Sequence, residues 1–135
     1  MPITDWDDAY ANSANVPEVA QLSEDWLRWS AQFHAAHPRE TLTYGPGARQ
    51  FVDLYRPEGE AKGLVLFVHG GYWHMRNGRD FSFLAQGPLA RGYAVGVVTY
   101  TLAPEARISE ITAGVAVALQ RTAEAVEGPI FLAGH

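Results

Sequence analysis

Apolar residues in the first part of the chain recur at a helical spacing. Between residues 17 and 36 they come three or four positions apart and therefore form one stripe along a helix. The stripe consists of Val19, Leu22, Trp26, Trp29 and Phe33. Pro17 suits a first helical turn, and Pro38 ends the pattern. The pattern predicts one helix that packs on the body of the domain.

Two short segments of alternating polarity follow this helix, within the stretch TLTYGPGARQFVDLYRP. The run Gly45-Pro46-Gly47 separates them and has the composition of a turn. This arrangement predicts an antiparallel hairpin in which residues 41–44 pair with residues 50–56.

Three continuous apolar runs come next, GLVLFVHGG, YAVGVVTY and PIFLAG. Their β-branched and aromatic residues are typical of strands buried on both faces. Between the first two, Asp80 could cap a helix that runs towards Arg91 and ends at the next glycine, with a kink or an early break at Pro88. Before the last run, the apolar spacing predicts a helix from residue 108 to the glycine at 128.

The order of these elements indicates the fold class. Buried strands that alternate with helices are typical of an α/β protein with a parallel sheet. The leading hairpin makes the predicted sheet mixed, though mostly parallel, with helices flanking it. No repeat, low-complexity tract or linker divides residues 1–135, so we expect one domain. Ligands of such sheets bind beyond the carboxyl ends of the strands.

The composition narrows the range of partners and compartments. The 135 residues carry a net charge of −5 with a pI near 5.4, which argues against a nucleic-acid-binding surface and against binding to anionic lipid. The absence of cysteine excludes disulfides, a thiol nucleophile and cysteine-based zinc sites. The N-terminus is acidic without a visible secretory signal, and the longest apolar run, residues 64–68, is too short to span a bilayer. We expect a cytoplasmic protein.

Candidate chemistry lies at the ends of two predicted strands. The first buried strand runs into His69-Gly70-Gly71-Tyr72-Trp73, where the glycines allow either a tight turn or a close approach of backbone N–H groups to a ligand. The glycine motifs of dinucleotide and P-loop sites are absent. The third buried strand ends in Gly134-His135, which matches the first two positions of the G-x-S-x-G nucleophile elbow.

Together these segments resemble the N-terminal half of an α/β-hydrolase from the esterase group that includes kynurenine formamidase (arylformamidase) and the hormone-sensitive-lipase-like carboxylesterases. HGGYW at 69–73 is the form of the formamidase branch, where the lipase-like branch has a third glycine. DLYRP at 53–57 resembles the strand before it, and YTLAPE at 100–105 is similar to the family's Tyr-Arg-Leu-Ala-Pro-Glu, with Thr101 in place of the arginine. GPIFLAGH at 128–135 resembles the run into Gly-His-Ser-Ala-Gly.

The resemblance implies a serine hydrolase that cleaves a small ester or an aryl formamide through an acyl-enzyme, without a metal or cofactor. Gly70, Gly71 and Tyr72 would form the oxyanion hole, with the N–H groups of the last two as donors. The nucleophilic serine would come immediately after His135, so residues 1–135 would be the N-terminal part of one hydrolase domain, cut at the elbow. Tyr72, Trp73 and His135 would contact the substrate. A homodimer is compatible with this interpretation.

Several residues keep more than one interpretation. His34 and His37 have a spacing that can bind metal, but without a third ligand they are expected to be exposed helical histidines. His69 is expected to brace the glycine turn through a hydrogen bond of its ring. His74 and Arg76 could contact substrate or face solvent, and Trp73 could line the active site or pack in a buried position. The alternative function is a non-catalytic hydrolase-fold protein that binds ligands or a partner, or an inactive truncation product.

Overall fold

The computed structural model describes residues 2–135, which form a five-stranded sheet flanked by helices. The strands are β1 (Glu40–Thr43), β2 (Phe51–Tyr55), β3 (Leu64–Val68), β4 (Ala94–Thr99) and β5 (Ile130–Gly134). The α-helices are α1 (Trp6–Tyr10), α2 (Val19–Ala36), α3 (Gln86–Ala90) and α4 (Ile108–Ala123), and two 3-10 helices cover Asn12–Asn15 and Gly78–Ala85.

The sheet has the strand order β1-β2-β4-β3-β5. Strand β2 is antiparallel to β1 and to β4, whereas β3 is parallel to both β4 and β5. Only β2 therefore runs against the direction of the other four strands. The predicted hairpin is confirmed, with Thr43 opposite Phe51 and Glu40 opposite Leu54. The predicted mixed, mostly parallel sheet with flanking helices is confirmed as well.

Helices cover the two faces of the central strands, because successive side chains of a strand point to opposite faces. On one face, Val95 of β4 packs in a cluster with Phe33 of α2. On the other face, Val98 of β4 and Leu66 of β3 pack with Ala118 of α4. Burial of each such aliphatic side chain stabilises the fold by roughly 1.5–3 kcal/mol. The carboxyl ends of β3, β4 and β5 meet at one edge of this core.

Strand β5 differs from the sequence prediction, which has it buried on both faces. All five of its residues are exposed in the described chain. Within residues 2–135, β5 pairs only with β3, and no helix buries either of its faces. The apolar run correctly predicts a strand, but a run of this kind does not report whether other elements cover its faces.

The helix boundaries also correct several predictions. The segment after residue 76 is capped by Asn77, whose side chain accepts from the N–H of Arg79, while Asp80 accepts from the N–H of Asn77. It is a 3-10 helix as far as residue 85 and becomes α-helical only in α3, which contains Pro88. Helix α2 begins two residues after the proline at 17, and α4 ends at residue 123, before the predicted end at Gly128.

Candidate functional site

The end of β5 and the loop after β3 are direct neighbours. In the parallel pairing of these strands, Val68 lies opposite Gly134. The ladder continues by one residue, because the N–H of His135 donates to the carbonyl oxygen of Val68 at 3.2 Å. The structure therefore brings the two predicted motifs, residues 69–73 and Gly134-His135, to the same edge of the sheet.

Gly70 and His135 pack closely against each other. A β-carbon added to Gly70 would overlap Nδ1 of the His135 imidazole and would lie 3.2 Å from the carbonyl oxygen of the same residue. Gly70 therefore has a packing reason to be glycine, since a side chain would require the His135 ring to move and its carbonyl oxygen to shift by a few tenths of an ångström.

The segment of residues 69–76, here called the glycine loop, contains a run of left-handed backbone. Gly71, Tyr72 and Trp73 have φ values of 123°, 49° and 58°. Such values are uncommon for residues with a side chain, and they persist where surrounding contacts fix them. The carbonyl oxygen of Gly71 accepts from the N–H groups of His74 and Met75, at 3.1 and 3.0 Å, which closes the turn.

Backbone carbonyl groups of the glycine loop are held by hydrogen bonds to the rest of the domain or within the loop. The Tyr100 hydroxyl donates to the carbonyl oxygen of His69 at 2.8 Å, and Nδ1 of His69 donates to that of Gly70 at 2.7 Å. The N–H of Ala103 donates to the carbonyl oxygen of Trp73 at 2.8 Å, and Nη2 of Arg49 donates to that of Arg76 at 2.6 Å. In contrast, the N–H groups of Gly71 and Tyr72 have no acceptor within residues 2–135.

The carbonyl contacts set the direction of these two N–H groups. In a trans peptide the C=O and the following N–H point in opposite directions. The Gly70 carbonyl is bound to the His69 ring and the Gly71 carbonyl to the N–H groups of residues 74 and 75. The N–H groups of Gly71 and Tyr72 consequently point away from those partners. Two successive N–H groups of this kind can bind an anionic oxygen.

His69 has the bracing role that its sequence position predicts. Its ring is buried and stacks on Tyr100, with centroids 4.2 Å apart, and on Phe81. Burial lowers the pKa of His69, so the ring is neutral near pH 7. Nδ1 must then carry the proton, because it faces the carbonyl oxygen of Gly70.

The residues predicted to contact substrate lie at the surface around this loop. Tyr72 and Trp73 are 50% and 47% exposed, and His135 is exposed as well. The Tyr72 hydroxyl donates to the carbonyl oxygen of Tyr10, at the end of α1, at 3.1 Å. The structure thus places Gly70, Gly71, Tyr72, Trp73 and His135 together at one edge.

Arg76 does not simply face solvent, one of its two predicted positions. Its guanidinium donates to Ser23 at 3.0 Å and lies over the ring of Trp26, so it binds helix α2 rather than solvent. His74 is exposed, with its ring 6.4 Å from that of Tyr72.

The histidines at 34 and 37 do not form a metal site with other residues of the described chain. The expectation of exposed helical histidines is wrong for both residues, which are partly buried. His37 follows the last residue of α2, and its ring stacks on that of Phe33 with centroids 4.1 Å apart. His34 is held by hydrogen bonds. Its Nδ1 accepts from the hydroxyl of Tyr55 at 2.7 Å and from Arg39 at 2.8 Å, and its Nε2 is buried. Burial, together with the nearby charge of Arg39, lowers the pKa of His34.

Two further charged residues make long-range contacts that the sequence does not predict. Arg49, in the hairpin turn, contacts the glycine loop. Asp53 is buried in β2 and accepts two hydrogen bonds from Arg79, at 2.7 and 3.2 Å, and one from Thr41 at 2.6 Å. Both act through partners more than ten positions away in the chain, so local patterns do not reveal them.

Comparison with known proteins agrees with this architecture. No family model matches the chain. A crystal structure from Silicibacter sp. TM1040, provisionally described as a thioesterase, superposes on 95% of the chain with a TM-score of 0.91 and 43% identity. An esterase from Pyrobaculum calidifontis covers 85% with a TM-score of 0.64 and 25% identity. The chain has the α/β-hydrolase fold of the esterases and kynurenine formamidase-like proteins.

Sequence comparison with curated proteins also finds kynurenine formamidases. The chain is 40% identical over 73 residues to kynurenine formamidase of Drosophila melanogaster and 29% identical over 100 residues to that of Salmo salar. These matches cover 52% and 70% of this chain, but only 24% and 33% of the relatives. The chain likewise spans 50% of the Silicibacter protein and 41% of the Pyrobaculum esterase.

No helix among residues 2–135 is long and apolar enough to cross a membrane.

Proposed function

We propose that the complete protein is a serine hydrolase that cleaves a small carboxylic ester or an aryl formamide through an acyl-enzyme. The observation that carries the proposal is the pair of N–H groups on Gly71 and Tyr72. They have no acceptor within the described residues, and they follow β3 directly beside the end of β5. This is where the α/β-hydrolase fold has its oxyanion hole and its nucleophile.

The proposed reaction needs a nucleophile close to these donors. His135 packs on Gly70, so a residue directly after His135 would leave β5 beside the glycine loop. In the G-x-S-x-G elbow this residue is the serine. Its Oγ forms a bond to the acyl carbon, and the π electrons of the carbonyl move onto the carbonyl oxygen. The triad histidine receives the serine proton and passes it to the leaving group, whose bond to the acyl carbon breaks as the carbonyl re-forms. Water, deprotonated by the same histidine, then attacks the acyl carbon, which releases the carboxylic acid and returns the proton to the serine.

In the proposal, Gly71 and Tyr72 stabilise the oxygen that becomes negatively charged. This charge is largest in the tetrahedral state, so the two donors favour the transition state over the bound substrate. Removal of one comparable donor costs roughly 10²–10³ in kcat. No step requires a metal or a redox cofactor.

The substrate class follows from the surroundings of the loop and from the relatives. Tyr72 and Trp73 give the site two half-exposed aromatic rings, which suit an aryl or short acyl substrate. Kynurenine formamidases and an esterase are among the similar proteins. A thioester is the second candidate, because the protein with 43% identity is described provisionally as a thioesterase. Hydrolysis of an ester, an aryl formamide or a thioester passes through the same type of tetrahedral oxyanion.

A covalent probe and a substrate panel test this function. The complete protein should react with a fluorophosphonate, with loss of fluoride, and peptide mass spectrometry should locate the adduct on a serine directly after His135. The panel should contain N-formylkynurenine, p-nitrophenyl acetate and a short-chain acyl thioester, and kcat/KM values decide among them. A complete, folded protein that neither reacts with the probe nor turns over any of the three would instead be a non-catalytic binding protein.

A further inference from the structure

Arg49 connects the hairpin turn to two other segments at the carboxyl edge of the sheet. Its Nε donates to the carbonyl oxygen of Tyr100 at 2.9 Å, and its Nη2 donates to that of Arg76 at 2.6 Å. Tyr100 directly follows β4, and Arg76 is the last residue of the glycine loop. One side chain therefore links the β1–β2 turn, the end of β4 and the end of the glycine loop.

The turn that carries Arg49 is itself held in place. Gln50 accepts from the N–H of Gly47 at 2.9 Å through its side chain and from the N–H of Tyr44 at 3.0 Å through its carbonyl. The Tyr44 hydroxyl donates to the carbonyl oxygen of Thr99 at 2.7 Å. Burial raises the pKa of Tyr44 to about 12, so this hydroxyl keeps its proton. These hydrogen bonds of Gln50 and Tyr44 thus hold the backbone of the turn at Arg49 in place.

The charge of Arg49 is not used in an ion pair with any carboxylate of the described chain. Both contacts go to backbone carbonyl groups, and the planar guanidinium holds two such acceptors in a defined relative position. Hydrogen bonds from a charged donor are also stronger than those between neutral groups. The partly buried side chain of Arg49 therefore holds two backbone segments together.

We propose that Arg49 is a positioning residue for the oxyanion donors, an inference that rests on the function proposed above. The glycine loop is fixed at its start by Tyr100, whose hydroxyl binds the His69 carbonyl, and at its end by Arg49. Arg76 has a φ of 76°, so this end is held in a conformation that the chain does not favour by itself. Without Arg49, the Arg76 carbonyl loses its partner and the loop gains freedom to shift Gly71 and Tyr72.

The test compares Arg49→Met, Arg49→Lys and Arg56→Met in the complete protein. Arg56 is a matched control, because it also donates to a backbone carbonyl, that of Ala125 at 3.1 Å, but outside the glycine loop. We expect Arg49→Met to lower kcat at least about 10-fold while KM changes less than about 3-fold, since oxyanion contacts act in the transition state. Arg49→Lys, which can keep one of the two contacts, should lie between Arg49→Met and wild type. Arg56→Met should resemble wild type.

Amide hydrogen exchange gives a readout that does not depend on activity. Peptides that cover residues 69–76 should exchange faster in Arg49→Met than in Arg56→Met, while peptides from α3 exchange equally. An unchanged kcat in folded Arg49→Met, or a loss of kcat and a rise of KM to the same degree, would overturn the proposal. If Arg49→Met does not fold, wild-type kcat in Arg49→Lys overturns it.

The same experiment separates this proposal from the proposed function. If the wild-type protein is inactive on every substrate, the proposed function fails, and hydrogen exchange alone decides on the role of Arg49 in holding the loop. Faster exchange confined to residues 69–76 then supports that role, and unchanged exchange contradicts it.

Discussion

The imidazole of His135 occupies the space that a side chain on Gly70 would need. Gly70 follows β3 and His135 follows β5, so this contact joins the two motifs of the candidate site. The position of the His135 side chain therefore depends on the size of residue 70. We therefore expect Gly70→Ala to displace the end of β5 and to lower kcat.

A double-mutant cycle tests this dependence. Gly70→Ala should cost at least about 10-fold in kcat/KM beside His135, but less beside His135→Gly, because the smaller residue leaves room for the new methyl group. The four kcat/KM values give the coupling. Equal effects of Gly70→Ala in both backgrounds would show that the packing of these residues does not matter for activity.

Gly71→Ala should lower kcat by roughly 10²-fold with a much smaller change in KM. The physical reason is that Gly71 has a φ of 123° and that a β-carbon there would overlap the Met75 carbonyl oxygen. Gly59→Ala is the control, since Gly59 has a φ of 79° but nothing within 4 Å of the added carbon. Steady-state kinetics and circular dichroism of both variants are the measurements. A folded Gly71→Ala with wild-type kcat would remove Gly71 from the site.

If the proposed function holds, the complete protein should prefer short acyl groups. The resemblance of HGGYW to the formamidase branch implies that Tyr72 stands where the lipase-like branch has glycine, and the Tyr72 hydroxyl donates to the Tyr10 carbonyl at 3.1 Å, which favours this position of the ring. Rates on p-nitrophenyl esters should decrease from acetate to octanoate, and Tyr72→Gly should reduce that difference. N-formylkynurenine belongs in the same series. Faster turnover of octanoate than of acetate by the wild-type protein would contradict the expectation.

Asp53→Asn should destabilise the complete protein by roughly 1.5–3 kcal/mol, because it removes the charge of the buried group that accepts hydrogen bonds from Arg79 and Thr41. The control is Glu124→Gln, which removes an exposed pair with Arg121 and should cost less than about 0.5 kcal/mol. Urea denaturation gives both free energies of unfolding. Equal values for the two variants would mean that the Asp53 network adds nothing beyond a surface ion pair.

The free energy of unfolding should decrease when the pH falls from 7.5 to 5.5. Burial lowers the pKa of His34 and of His69 in the folded state. Below about 6.5 the unfolded chain therefore binds protons that the folded chain does not, and stability falls. Urea denaturation at both pH values measures the difference, which should be smaller in His34→Gln. An undiminished difference in that variant would show that His34 does not contribute.

The amino-acid sequence by itself determined the order of the five strands and the presence of helices α2 and α4. The helical stripe before residue 36, the hairpin and the three apolar runs depend on side-chain periodicity, which is a local property of the chain. The sequence also indicated which glycines and aromatic residues follow β3, because these residues are adjacent in the chain. The fold class and the location of the candidate site followed from these patterns.

The tertiary structure alone decided which partners complete the site. The contacts of Arg49 with Arg76 and Tyr100, of Tyr100 with His69 and of His135 with Gly70 join residues far apart in the chain. The exposure of β5 likewise depends on which elements cover its faces within residues 2–135, since the same apolar run would suit a buried strand. Hydrogen-bond partners and packing neighbours depend on how elements are arranged in space, and this arrangement has no periodic trace in the sequence.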